Sequence, residues 1–239
     1  MDTLTESNLH PEKGSQLSPR GAIRYVELLA KSHFSFLRSA SSPEEMIYQC
    51  RRLGYRGMGL IDSGGLYGVV RGHQSVHSPS LFTTEAFEFS NQSFAYLVGC
   101  ELLLSSNQVP AFQLALMPLS QKGYLNLCQL ITKSKIQSPK GFSCLHLEDL
   151  RAHADDLLCF VRPPWTLENL LRLRDLFEDR LYLPVCKDYT WESIQNYHHA
   201  LRLESQYGFE WVATQFPLMH DPGRKPLLDV MTCILHGKT

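Results

Sequence analysis

The residues of this chain that could do chemistry are ten histidines, 24 acidic side chains and seven cysteines among 239 residues, so their spacing decides what they are for. Asp62 closes the apolar run GMGLID and is followed by Ser63, Glu101 sits in LVGCEL, and Lys31 follows YVELLA. Carboxylates at strand ends hold divalent cations or move protons, and a lysine among them supplies a fixed positive charge. His73 and His77 in RGHQSVH would share one helix face, but no Glu or third ligand accompanies them, and they read as exposed polar positions. Neither Cys144-x-His146 nor the pair His198–His199 has a partner motif at zinc-site spacing. Ser32–His33 and Ser63 lack a nucleophile elbow or an oriented base. Gly64, Gly65 and Gly68 could bring backbone amides to a phosphate, but forming a turn is the simpler use. Arg71, Arg162, Arg172, Arg174, Arg224 and Lys225 are dispersed among acids and read as a solvated surface. Cys50, Cys100, Cys128, Cys144, Cys159, Cys186 and Cys233 form no CxxC pair, so most read as small buried hydrophobes rather than a disulfide framework.

The elements that must position these groups alternate between β-type runs and stretches with apolar residues every three or four positions, the signature of βα units in series. Strands are expected at residues 24–30, GMGLID, AYLVGCELLL, PAFQLALMPL, DLLCFVRPP, LYLPV and EWVATQF, the third and fourth joined by SSNQV as a hairpin. Helices are expected after Ser42, which can form a capping box with Glu45, from about Leu66 to His77, and in QKGYLNLCQLITKSKI, with Tyr124, Leu127, Cys128 and Ile131 on one face. Three more follow in TLENLLRLRDLFEDR, TWESIQNYHHALRLESQYG and RKPLLDVMTCILHG. About six or seven βα repeats fit an α/β chain folded as a small or incomplete β/α barrel. No strand is followed by GxGxxG, and no GxxxxGK[ST] loop occurs. In such a barrel chemistry gathers at the C-terminal strand ends: Leu29 to Lys31, Asp62 and Ser63, Glu101, Arg162, Lys187, and Gln215 to His220.

A net charge of -1 does not imply nucleic acid as a partner, and 44% hydrophobic against 20% charged residues places the chain far from disorder. No run approaches the roughly 18–20 apolar residues of a membrane span, and the N-terminus lacks a cationic region followed by an apolar one, so a cytoplasmic location is expected. Residues 1–21 read as a flexible lead-in and 22–239 as a single domain, with a Ser/Phe-rich insertion at 78–94 whose Phe82, Phe87, Phe89 and Phe94 would cover the barrel or contact a partner.

The runs YVELLAKSHFSFLRSASSPEE, LGYRGMGLIDSGGLYGVVRGH, LVGCEL, GYLNLCQLIT and HDPGRKPLLDVMTCILHGK resemble, in order, the N-terminal PHP (polymerase and histidinol phosphatase) domain of bacterial C-family DNA polymerases, the error-prone relatives of the replicative alpha subunit above all. The resemblance implies a distorted seven-stranded β/α barrel and, in active members, His, Asp and Glu ligands around two or three metal ions, zinc or manganese, for phosphoester hydrolysis. The family's His-x-His ending the first strand corresponds here to Leu29 and Lys31, and its Thr-Asp-His to Ile61, Asp62 and Ser63. Glu101 keeps the Gly-x-Glu position, whereas the late Asp-x-His has become Phe216 and Leu218, and His33 lies where the family has no ligand. A catalytic metal generally needs about three protein ligands, so no bound metal is expected; Asp62 and Glu101 would be vestigial, with Lys31 paired to one of them as a metal surrogate. The resemblance also implies that polymerase palm, fingers and clamp-binding parts are missing. The chain is then a degenerate module of DNA replication or translesion synthesis, not an enzyme by itself, with a separately encoded polymerase core or other translesion-polymerase subunits as partners and only weak or indirect DNA contact. The alternative is an active metal-dependent phosphoesterase or 3′–5′ exonuclease with an altered site.

Overall fold

The computed structural model describes residues 25–77, 93–106, 109–139 and 143–238. The lead-in at 1–21 and nearly all of the 78–94 insertion, including Phe82, Phe87 and Phe89, lie outside the described residues; Phe94 lies within them, its ring centroid 4.8 Å from the Arg51 guanidinium.

The chain runs β1 (Val26–Ala30), α1 (Pro43–Arg52), β2 (Gly57–Ser63), α2 (Val69–His77), β3 (Ala95–Ser106), β4 (Val109–Pro118), α3 (Gln121–Gln137), β5 (Cys144–His146), α4 (Leu147–His153), β6 (Leu157–Val161), α5 (Leu167–Phe177), β7 (Leu181–Val185), α6 (Trp191–Tyr207), β8 (Glu210–Ala213) and α7 (Lys225–His236). The strands make one curled sheet in the order β1-β2-β3-β4-β6-β7-β8, with β5 paired to the outer half of β3. Pairing is parallel except where β4 runs antiparallel to both β3 and β6. The result is a distorted β/α barrel.

Local sequence explains the best-defined elements. Ser42 Oγ accepts from Glu45 N–H at 3.2 Å while Glu45 Oε2 accepts from Ser42 N–H at 2.8 Å, a complete capping box with Pro43 in the first turn of α1. Such a cap contributes about 1 kcal/mol, and it orients Met46, Ile47 and Cys50 onto Ala30, Met58 and Leu60. Gly208 and Gly237 close α6 and α7 at φ of +72° and +58°, left-handed values that favour glycine.

Alternation along the strands sorts the remaining core. Leu29, Ile61, Ala115, Met117 and Phe160 fill the barrel interior, whereas Cys100, Leu102, Leu114 and Leu116 face outward under the helices. Three sequence expectations need correcting. α2 begins at Val69 rather than near Leu66, because the chain first turns through Gly64 at φ +69°. The buried face of α3 is Gly123, Leu127, Leu130 and Ser134; Tyr124 is exposed, since a glycine is what meets the Asp156 backbone, where a Cβ would fall 2.1 Å from the carbonyl oxygen. Among the cysteines only Cys50, Cys100 and Cys159 are fully buried, and all seven are free thiols.

The ends of the sheet, β1 and β8, do not pair with one another among the described residues. Loop contacts bridge them instead: Lys31 N–H donates to the Pro217 carbonyl at 3.1 Å and Ala40 N–H to the Leu218 carbonyl at 2.8 Å. Glu27, 1% exposed, lies across the seam. Its carboxylate accepts from Tyr25 O–H at 2.8 Å, Leu29 N–H at 3.0 Å, Gln215 N–H at 2.9 Å and the Thr214 hydroxyl.

A candidate site at the mouth of the barrel

Two residues beyond an inward-facing core position, a strand again points inward. Leu29 leads in this way to Lys31, Ile61 to Ser63, Gly99 to Glu101 and Phe160 to Arg162. All four of these residues share interactions at the C-terminal mouth. The Lys31 ammonium is hydrogen-bonded to Glu101 Oε1, with only 10% of the lysine side chain and 4% of the glutamate side chain exposed. Ser63 Oγ donates to the same oxygen at 3.3 Å, and Arg162 Nε stands 3.7 Å from Oε2. The Arg162 guanidinium stacks 3.9 Å from the centroid of Phe216. Burial pushes the Lys31 ammonium below its ordinary pKa, while Glu101 pulls it back toward the charged form.

Asp62 follows the other parity, after the outward-facing Leu60, and never reaches Lys31 by hydrogen bond. Its Oδ1 accepts from Ser32 N–H at 2.8 Å, Ser32 Oγ at 3.0 Å and Ser35 Oγ at 2.7 Å. Gly68 closes over this carboxylate, since a Cβ there would lie 2.8 Å from Oδ2. Burial raises the Asp62 carboxyl above the ordinary range; hydrogen bonds from Ser35 and Ser32 oppose the rise. Ser32 is fully buried, and its hydroxyl donates to the Asp62 carboxylate.

Asp62 is held by hydroxyl and amide donors and Glu101 by an ammonium, and no group of three His, Cys, Asp or Glu side chains converges among the described residues. Leu29 lies in the apolar interior, and Leu218 contributes its carbonyl to Ser39 Oγ at 2.8 Å. His33 packs beside Phe34, the ring centroids 4.5 Å apart, and Lys187 lies over Tyr197, 5.5 Å from its centroid. His73 and His77 touch at 4.3 Å without a further ligand in the described residues, and His199 packs against Trp165. The basic residues named from sequence are engaged separately: Arg71 with Glu44, Arg224 with Glu45, Arg172 with Glu168, Lys225 with Asp229, and Arg174 with the Tyr207 carbonyl.

Sequence reasoning missed Ser32 and Ser35 as donors to Asp62, and Glu27 as a buried carboxylate at the seam. β1 carries a register shift between Glu27 and Ala30, so simple alternation from Leu29 does not place Glu27, and two of its donors, Thr214 and Gln215, lie far along the chain.

A curled, largely parallel sheet with polar groups converging on its C-terminal mouth defines a distorted β/α barrel. An amidohydrolase from Chromobacterium violaceum superimposes at a TM-score of 0.51 and 10% identity, over 86% of this chain and 96% of that one. A putative metal-dependent phosphoesterase from Bifidobacterium adolescentis gives 0.52 at 10% identity, over 84% and 89%. The chain belongs to the PHP domain family, which it matches over residues 27–209. It is 46% identical to an error-prone DNA polymerase of Bdellovibrio bacteriovorus over 99% of its own length and 22% of that protein. Error-prone DNA polymerase 2 of Agrobacterium fabrum is 29% identical over 90% of this chain and 19% of its own length. The chain thus spans about a fifth of the length of these curated relatives.

Proposed function

We propose that this chain is a catalytically silent PHP domain of the error-prone polymerase type, working in DNA replication or translesion synthesis as a structural and interaction module. The observation that carries the reading is the buried Lys31–Glu101 pair, in which an ammonium occupies the charge-neutralising position that a cation would take beside Glu101. Asp62 and Glu101 are then vestiges of a metal site, and Lys31 is the surrogate for the metal. The partner is a polymerase core or another translesion-polymerase subunit, the setting is the cytoplasm, and residues 22–239 act as one domain. No helix among the described residues is long and apolar enough to cross a membrane.

The test is metal analysis and phosphoester hydrolysis on purified protein incubated with zinc or manganese. Substoichiometric metal and no release from a DNA 3′ end are expected for both wild type and Glu101→Ala. One equivalent of metal, lost together with hydrolysis in Glu101→Ala, would establish an active phosphoesterase or exonuclease instead.

A further inference from the structure

The last helix is apolar on a side that none of the described residues covers. In α7 only Leu228 is buried, while Leu227, Val230 and Ile234 are 44%, 57% and 60% exposed. With half-buried Met231 they form an i, i+3, i+4, i+7 stripe, the spacing by which one helix receives another. Leu227 and Met231 also form one lip of a cleft of about 760 Å³ whose opposite wall is the first turns of α1, with Glu44 and Tyr48. Glu44 is 7% exposed; one of its oxygens holds Arg71, and the other, Oε2, is buried with no hydrogen-bond partner among the described residues. A buried carboxylate oxygen left in that state costs free energy that an incoming donor recovers.

The dimensions say what kind of occupant suits this surface. Four side chains and one cleft wall fall well below the roughly 800 Å² per partner of a stable independent dimer, so a second copy of this chain is poorly served by it. The curated relatives carry about four-fifths of their length beyond the part this chain matches, a body large enough to cover the stripe and make further contacts. We infer that the α7 stripe and the α1–α7 cleft seat a helix of such a polymerase body, with apolar residues on Leu227, Val230, Met231 and Ile234 and a hydrogen-bond donor on Glu44 Oε2. This rests on the reading of the chain as an interaction module and adds the surface and the chemistry of the partner.

The test is co-expression of the tagged chain with the polypeptide that makes up the rest of the Bdellovibrio bacteriovorus polymerase, followed by co-purification and titration. Co-elution is expected, with affinity reduced at least about 30-fold in Val230→Asp and in Ile234→Asp, and unchanged in Ile136→Asp, which alters an apolar residue 79% exposed on α3. Because Val230 and Ile234 are exposed, unchanged melting of both variants separates lost docking from lost folding. Co-elution indifferent to the α7 variants overturns the seat but leaves the interaction reading standing, whereas no co-elution of the wild type overturns both. Self-association in sedimentation that disappears in the two variants would assign the stripe to a second copy and overturn this occupant.

Discussion

The barrel buries carboxylates at its mouth and at its seam, and neutralises them by different means. At the mouth Glu101 is paired with a full positive charge, Lys31, with Arg162 standing further off. At the seam Glu27 is equally buried, and its donors among the described residues are neutral, two hydroxyls and two backbone amides. A charge facing a charge can be exchanged for an apolar pair of similar volume, because both members leave together. A charge held by backbone amides cannot, since those amides stay and need an acceptor.

The sharpest way to break this contrast is Lys31→Met, which strands Glu101 inside the barrel. A loss of about 3 kcal/mol in urea unfolding is expected, at the low end for an orphaned buried charge because Arg162 remains 3.7 Å away. The double variant Lys31→Met with Glu101→Leu should recover to within about 1 kcal/mol of wild type; a double variant as unstable as the single would show that the mouth, like the seam, depends on its acid. Next in size is Glu27→Gln, expected to cost about 2 kcal/mol by setting an amide NH2 against donors on the seam. No loss of stability there would mean that the seam tolerates a neutral group and the two regions are alike.

Asp62→Asn should have the smallest effect, within about 1 kcal/mol at pH 7, because the Ser32 and Ser35 hydroxyls can turn to accept as well as donate. Its value lies in its pH dependence. Burial raises the folded-state pKa of Asp62, so the folded protein holds the proton more tightly than the unfolded chain. Wild type is therefore at its best relative to the variant below the unfolded carboxylate value of about 3.9, and loses that advantage as pH rises through the folded pKa. Paired melting curves from acid to neutral pH should move in favour of the Asp62→Asn variant; a flat difference would remove burial as the dominant influence on Asp62.

Much of this was legible in the sequence where the determining interactions are local. The Ser42–Glu45 box, the hairpin of β3 and β4 and the glycine stops at Gly208 and Gly237 all depend on neighbours within a few positions. The three-residue strand β5 and short helix α4 were not foreseen, since CLHLEDL is too brief to show a period and β5 takes its place only by extending along β3. At the mouth the acidic positions Asp62 and Glu101 and the intruding Lys31 were visible, but not which carboxylate would meet the lysine. Strand parity decides that, because Lys31 and Glu101 point inward and Asp62 does not. Glu27 stayed hidden because two of its four donors, Thr214 and Gln215, lie at the opposite end of the sequence.

That separation, 187 residues between Glu27 and Thr214, bears on how the barrel is made. Contacts of such high contact order require the ends of a long loop to be brought together before anything is gained, which slows folding. The ladders from β1 through β4 can assemble as the chain emerges from the ribosome, but the seam acid keeps only its two local donors, Tyr25 and Leu29, until β8 and the residues after it arrive. In an unfinished barrel water solvates Glu27 at the open edge; its burial, and the Thr214 and Gln215 donors that compensate for that burial, come only when the circuit closes.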